Sequence, residues 1–170
     1  MKEKQKPISK IREEFEAASM EKLPSLYREY QEDTRAGVRS LIDRYRKKEE
    51  ALEKEKVRTE QMKVYERQYE ARGYVCGIDE VGRGPLAGPV VAGAVILPKD
   101  CGILWLNDSK KLTARKREEL YDVIMEQAVA VGLGCVSPAR IDEINILQAT
   151  YEAMREAISK LPIQPDVLLN

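Results

Sequence analysis

The chain has 170 residues, 43% hydrophobic and 34% charged, which is enough for one compact domain plus an extension. Its 29 basic side chains balance 29 acidic ones, so net charge by itself indicates no polyanionic partner, and the absence of histidine removes imidazole bases, Ser-His and Cys-His nucleophile pairs and histidine zinc sites. No apolar run reaches the roughly 18 to 20 residues of a spanning helix, and the opening MKEKQKPISKIREEFE has no apolar segment of signal type, so a cytoplasmic chain with no membrane partner is expected.

Residues 1–72 carry 19 basic and 16 acidic side chains, against 10 and 13 in residues 73–170. The stretch RSLIDRYRKKEEALEKEKVRTEQMKVYERQYEAR favours helix by propensity, with a narrow apolar stripe at Leu41, Ile42, Tyr45 and Leu52 and no heptad repeat. A charged, mainly helical N-terminal extension is therefore expected over 1–72, serving as a solvated arm or docking helix; a substrate-gripping appendage is the alternative.

At Gly73 the composition changes. YVCGID reads as a strand, GRGPLAGP as a tight loop and VVAGAVILP as a second strand. TARKREELYDVIMEQA then predicts a helix packed on the sheet through Leu120, Tyr121, Ile124, Met125 and Ala128, followed by a strand in VAVGLGCVS. Ser137 and Pro138 form an N-cap and first helical position. Beyond them Ile144, Leu147, Tyr151, Met154, Ile158 and Leu161 recur at steps of three and four, as one long amphipathic helix requires. PDVLLN begins a buried strand. Cys76, Cys101 and Cys135 lack metal or redox spacing and are expected to be reduced and buried.

The chemistry concentrates at Asp79 and Glu80, which end an apolar run and precede Gly82-Arg83-Gly84. A phosphate-cradling P-loop would need a Gly-Lys-Ser/Thr sequence opening a helix, and a dinucleotide fingerprint would need its third glycine one position earlier, before a helix; neither condition is met. The remaining functional reading makes Asp79 and Glu80 ligands for a hard divalent cation, with the glycine-flanked backbone close to a substrate. Neighbouring strand residues point to opposite faces, so sharing one site requires the backbone to depart from ideal geometry near Val81-Gly82. The plain alternative is an exposed acidic pair before a hairpin turn. Lys110 and Lys111, in a polar loop before a helix, are phosphate contacts or ordinary solvated lysines. Asp142 and Glu143 are placed in the first turn of the long helix, offsetting its dipole, and Asp166 is read as a turn residue.

GIDEVGRGPLAGPVVAGAVIL, followed by DSKKL at 108–112 and IDEINIL at 141–147, resembles type 2 ribonuclease H, specifically bacterial ribonuclease HII, over residues 74–170. The Gly-Arg-Gly triplet favours ribonuclease HII over ribonuclease HIII, which is the second enzyme reading; a non-catalytic hybrid-binding protein is the reading from another class. The resemblance implies an α/β, ribonuclease H-like mixed sheet flanked by helices, incomplete here, with residues 73–170 as the N-terminal half of the catalytic domain. It implies a monomeric endoribonuclease of replication and repair, acting on RNA-DNA hybrids and on ribonucleotides embedded in duplex DNA with Mn²⁺ or Mg²⁺. Asp79 and Glu80 become the metal ligands and catalytic carboxylates. Gly82, Arg83 and Gly84 become the contacts to the 2′-hydroxyl and backbone, and Lys110 and Lys111 further substrate contacts. The family's third and fourth catalytic aspartates and its sugar-stacking tyrosine would follow Asn170, so a C-terminally truncated, nearly inactive chain is expected.

Overall fold

The structure is a computed structural model and describes residues 5–84 and 87–170. Part of the loop between the first two strands, Pro85 and Leu86, lies outside the described residues. Two compact units divide between Val57 and Arg58. A mixed sheet flanked by helices and an N-terminal helical region are both present, as the sequence leads one to expect.

The first unit contains α1 (Ile8–Ala17), α2 (Leu23–Tyr30) and most of α3 (Ala36–Met62). Ile11, Phe15, Leu23, Tyr30, Val38, Leu41 and Ile42 bury themselves together. This is a small core of its own and not a solvated arm. The stripe on α3 looks narrow in isolation because Ile11, Phe15 and Leu23, from the preceding helices, supply the apolar surface it meets. The Tyr30 hydroxyl donates to Glu14 at 2.5 Å, while the Lys6 ammonium donates to both Glu14 and Tyr30, at 2.6 and 2.8 Å. Asp33 is held by the Arg35 guanidinium at 2.6 Å.

The second unit holds the rest of α3, then α4 (Val64–Tyr69), β1 (Val75–Val81), β2 (Val90–Ile96), α5 (Ala114–Gln127), β3 (Ala130–Val136), α6 (Pro138–Ser159) and β4 (Val167–Leu169). The sheet order is β3-β2-β1-β4. β1 and β2 form an antiparallel hairpin, β3 adds antiparallel to β2, and β4 runs parallel to β1, which the crossover through α6 makes possible. Strand alternation sends Cys76, Ile78, Val90, Ala92, Ala94, Ile96, Ala130 and Val136 to one face, where α6 covers them with Ala149, Ala153, Met154, Ala157 and the following Leu161. The helix lies very close. A Cβ on Gly134 would fall 1.9 Å from the Ala153 carbonyl oxygen, and one on Gly132 would fall 2.1 Å from that of Ala157. The glycines of VGLGC are thus demanded by a helix backbone resting on the strand.

Several expected details change. α6 is interrupted at Asn145, whose φ of 69° and ψ of 162° are not helical. Its Oδ1 accepts from the backbone N–H of Leu147 and Gln148, so Asn145 caps a second helical segment. The interruption rotates the buried stripe to Ala149, Thr150, Ala153, Met154 and Ala157, and leaves Leu147 and Tyr151 exposed. Asp142 and Glu143 lie beyond the first turn, and Glu143 pairs with Arg140 at 2.9 Å. α5 forms a separate core with Cys101 and Ile103 through Leu120, while Tyr121 and Met125 face solvent. Cys76 and Cys101 are buried but Cys135 is exposed, because it points from the face opposite α6. β4 is half-buried. Asp166 does more than turn the chain: its Oδ2 accepts the Tyr74 N–H at 2.8 Å and its own N–H donates to the Tyr74 carbonyl at 2.9 Å, pinning the start of β4 to β1.

Gly134→Ala is expected to destabilise the chain by about 1–3 kcal/mol or more, since the obstructing atoms are helix backbone and cannot swing aside; a denaturant midpoint equal to that of the unsubstituted chain would contradict this packing. A pH effect follows in the first unit. Hydrogen bonds from Lys6 and Tyr30 hold the Glu14 carboxyl below its ordinary range, and the Arg35 guanidinium does the same for Asp33. Both groups therefore stabilise fully above the ordinary carboxylate range, and this contribution is lost as pH falls through their depressed folded-state values. Thermal unfolding followed by helical circular dichroism should show a falling midpoint on acidification, with a shallower fall in Glu14→Gln.

Candidate active site

β1 delivers Asp79 and Glu80 to the end of the hairpin. The ladder is regular through this point, with Asp79 opposite Gly93, Glu80 opposite Ala92 and Val81 opposite Val91. Asp79 therefore stands on the face away from α6, exposed, and Glu80 on the α6 face, partly buried. The departure from strand geometry comes only after the ladder, at Gly82, where φ is 89°. It does not bring the two carboxylates onto one face.

The surroundings of the two acids differ. The Glu80 N–H donates to Asp79 Oδ1 at 2.8 Å, which orients the Asp79 carboxylate along the strand. Glu80 Oε1 meets the Arg83 guanidinium at 3.4 Å, so the cation of the glycine-flanked turn curls back onto the acid three residues earlier. Asp79 has a bare floor. Gly93 faces it across the ladder and Gly77 precedes it on the same face of β1, where an added Cβ would meet nothing within 4 Å. Val75, Gly77, Asp79, Gly93 and Val95 contribute to a cavity of about 1090 Å³ in the second unit. A strand glycine that packs against nothing is a sign of close approach by another group; Gly77 in CGID gives this signal, which a search for charged residues passes over, whereas a Cβ on Gly93 would touch Leu133 at 3.8 Å.

The three turn residues separate by physical demand. Gly82 is required by the fold: its φ is positive and an added Cβ would lie 2.4 Å from the Pro89 carbonyl oxygen. Gly84 is not, because open space surrounds its Cβ position. Arg83 is exposed apart from its contact with Glu80.

Lys110 and Lys111 lie in a separate 3₁₀ turn, Ser109–Lys111, capped by the Asp108 side chain, which accepts the Lys110 N–H at 2.9 Å. Among the described residues no hydrogen bond or ion pair joins these lysines to the β1 acids. As to a metal, the donor chemistry at Asp79 and Glu80, hard carboxylate oxygen, fits Mn²⁺ or Mg²⁺. Two carboxylates do not complete such a site, and among the described residues no group of three acidic, cysteine or histidine side chains comes together.

Replacing Gly84 with alanine should leave thermal stability unchanged, whereas Gly82→Ala should lower it by about 1–3 kcal/mol through positive-φ strain and the Pro89 clash. Equal losses in the two variants, read from denaturant titration, would contradict this division.

Comparison with known proteins bears on the whole of this arrangement. The family described as "Ribonuclease HII N-terminal domain" matches residues 7–70, and "Ribonuclease HII" matches residues 76–169. A curated ribonuclease HII of Lachnoclostridium phytofermentans is 55% identical over 96% of this chain and 64% of its own length. Those of Enterococcus faecalis and Bacillus licheniformis are 54% and 47% identical, over 82% and 95% of this chain and 56% and 64% of their own lengths. The chain thus spans less than two thirds of the length of these relatives. The crystal structure of the ribonuclease H2 from Pyrococcus horikoshii OT3 aligns over 56% of this chain and 48% of that one, at 30% identity and a TM-score of 0.45. Since the second match alone takes in more than half of its residues, the chain carrying this hairpin belongs to the ribonuclease HII family.

Proposed function

We propose that this chain supplies part of an endoribonuclease that hydrolyses the RNA strand of RNA-DNA hybrids and cuts at ribonucleotides embedded in duplex DNA. The observation that supports it most directly is the position of Asp79, an oriented carboxylate above a glycine floor and beside the turn at Gly82. Backbone unencumbered by side chains suits contact with a ribose, whose 2′-hydroxyl is the group that separates RNA from DNA at a single position.

Asp79 and Glu80 would hold divalent cations, Mn²⁺ or Mg²⁺, as two members of a larger carboxylate set. β4 runs parallel to β1 with Leu169 beside Gly77. That register brings β4 alongside the strand that carries both acids, which suits a carboxylate set drawn from more than one strand. When bound, two such cations supply an activated water for in-line attack at phosphorus and charge stabilisation at the departing 3′-oxygen. The chain's own residues would do the positioning. Asp79 fixes its carboxylate through the Glu80 N–H, Arg83 offsets the charge of Glu80 until substrate draws it toward phosphate, and Gly84 leaves room for the sugar. Products would carry 5′-phosphate and 3′-hydroxyl ends.

Residues 1–170 alone are expected to cleave little, because two carboxylates hold a hard cation weakly. Joining to them the C-terminal part of the Lachnoclostridium phytofermentans relative should give divalent-cation-dependent cleavage of a duplex with one embedded ribonucleotide, and Asp79→Asn in that chimera should reduce the rate by about 10²-fold or more. A folded chimera that binds hybrid without cutting it would favour a non-catalytic binding protein. One that cuts hybrid tracts but spares the single ribonucleotide would favour the ribonuclease HIII reading.

A further inference from the structure

The residues that hold the DSKKL turn in place carry an inference of their own. Ser109–Lys111 is a single 3₁₀ turn between the small α5 core and the start of α5. Short turns of this kind leave carbonyl groups without intrahelical partners. Here the Arg117 guanidinium reaches back from the second turn of α5, and its Nη1 donates to the Leu112 carbonyl at 2.7 Å and to the Ser109 carbonyl at 3.1 Å. Among the described residues the Ser109 carbonyl otherwise receives the Leu112 N–H, at 3.3 Å. Arg117 thus ties the start of the turn and the residue after it to the helix behind them.

What the turn displays is two exposed lysines. Among the described residues neither the Lys110 nor the Lys111 ammonium has a hydrogen-bond or ion-pair partner, whereas Arg115 and Lys116 share Glu119, at 3.0 and 3.3 Å. The cations are also set against the local field. α5 is N-capped by Thr113, whose side chain accepts the Lys116 N–H, and its first turn carries Arg115 and Lys116 where the positive helix end prefers acids. The Asp108 carboxylate on this turn is engaged by the Lys110 backbone N–H, and among the described residues the Lys110 and Lys111 ammoniums pair with no acid; two adjacent cations left in this way suit an anion supplied from outside, and their spacing suits a polyanionic strand.

We propose that Arg117 is a positioning residue: by bonding the Ser109 and Leu112 carbonyls it holds the turn in the shape that presents Lys110 and Lys111 together to the phosphate backbone of a nucleic-acid duplex. This rests on the reading that the protein acts on RNA-DNA hybrids, and it assigns to Arg117 an effect exerted through the two lysines and not by touching phosphate.

The experiment is a double-mutant cycle on the full 170-residue chain, with an RNA-DNA hybrid duplex as probe and EDTA present so that no cation bridges the two. Affinity is read against salt concentration. Lys110→Ala with Lys111→Ala should lower affinity and shorten the log–log salt slope by roughly 0.7–0.9 per lost contact. Arg117→Met should weaken binding several-fold in the unsubstituted background and not at all when both lysines are already alanine. Loss of affinity on Arg117→Met that persists without the lysines would overturn the positioning role and make Arg117 a direct contact. An unchanged affinity in Arg117→Met, beside salt-dependent binding by the unsubstituted chain, would overturn the inference alone. Absence of salt-dependent binding by the unsubstituted chain would overturn it together with the reading on which it rests. A circular-dichroism melt of each variant identifies any loss that comes from unfolding, and Arg117→Lys, which keeps a donor of similar reach, should recover part of the affinity if positioning is the role.

Discussion

The contact between α6 and β3 is the constraint on which the rest of the second unit depends. With Gly132 and Gly134 on the strand and Ala153 and Ala157 on the helix, the two backbones approach until any strand Cβ would collide with a helix carbonyl. This closeness sets where α6 lies across β2 and β1, and therefore where the chain emerges to return as β4 alongside β1. A larger residue at either glycine would lift the helix and displace the strand that the crossover delivers. The Glu156 carboxylate of α6, which accepts the Cys135 N–H at the open edge of β3 at 2.9 Å, adds a polar tie between the same two elements. Lys160 and this N–H together hold that carboxyl below its ordinary range.

The site inherits its asymmetry from the sheet. A regular ladder must divide consecutive residues between two faces, so Asp79 looks onto open glycine backbone while Glu80 turns toward the α6 side and finds Arg83. The two acids are therefore not equivalent, although the sequence writes them as a pair. Gly82 ends the ladder by adopting a conformation that side-chain-bearing residues avoid, and Gly84 is left free of structural demand. Of the glycines in the motif, one belongs to the fold and another is available for contact.

The N-terminal unit shows how charge and core coexist in a small helical assembly. Phe15 is surrounded by Tyr27, Tyr30 and Tyr45, with ring centroids 5.1 to 6.2 Å away, and the Tyr27 and Tyr30 hydroxyls reach out to the carboxylates of Glu49 and Glu14. Arg44 and Lys48 lie over the Tyr45 ring. The dense charge of this region thus partly covers aromatic surface, and that is why composition alone suggested a solvated arm.

Local pattern was enough for the order of strands and helices, the Ser137 cap, the hairpin and the acidic pair beside a glycine turn, because each depends on residues within a few positions of one another. The interruption at Asn145 was also local, yet it hid inside an apolar repeat that ran on regardless of the break. Other features needed the folded chain: the core between α1, α2 and α3, the attachment of α5 to the loop at Cys101 and Ile103, the Asp166 link to Tyr74, and the reach of Arg117 back to Ser109. Which face each carboxylate occupies was implicit in strand alternation, but what each face meets was not. That depends on residues farther along the chain: the register of the β1–β2 ladder sets Gly93 opposite Asp79, and the close packing of α6 on the sheet gives the side of Glu80 its neighbours.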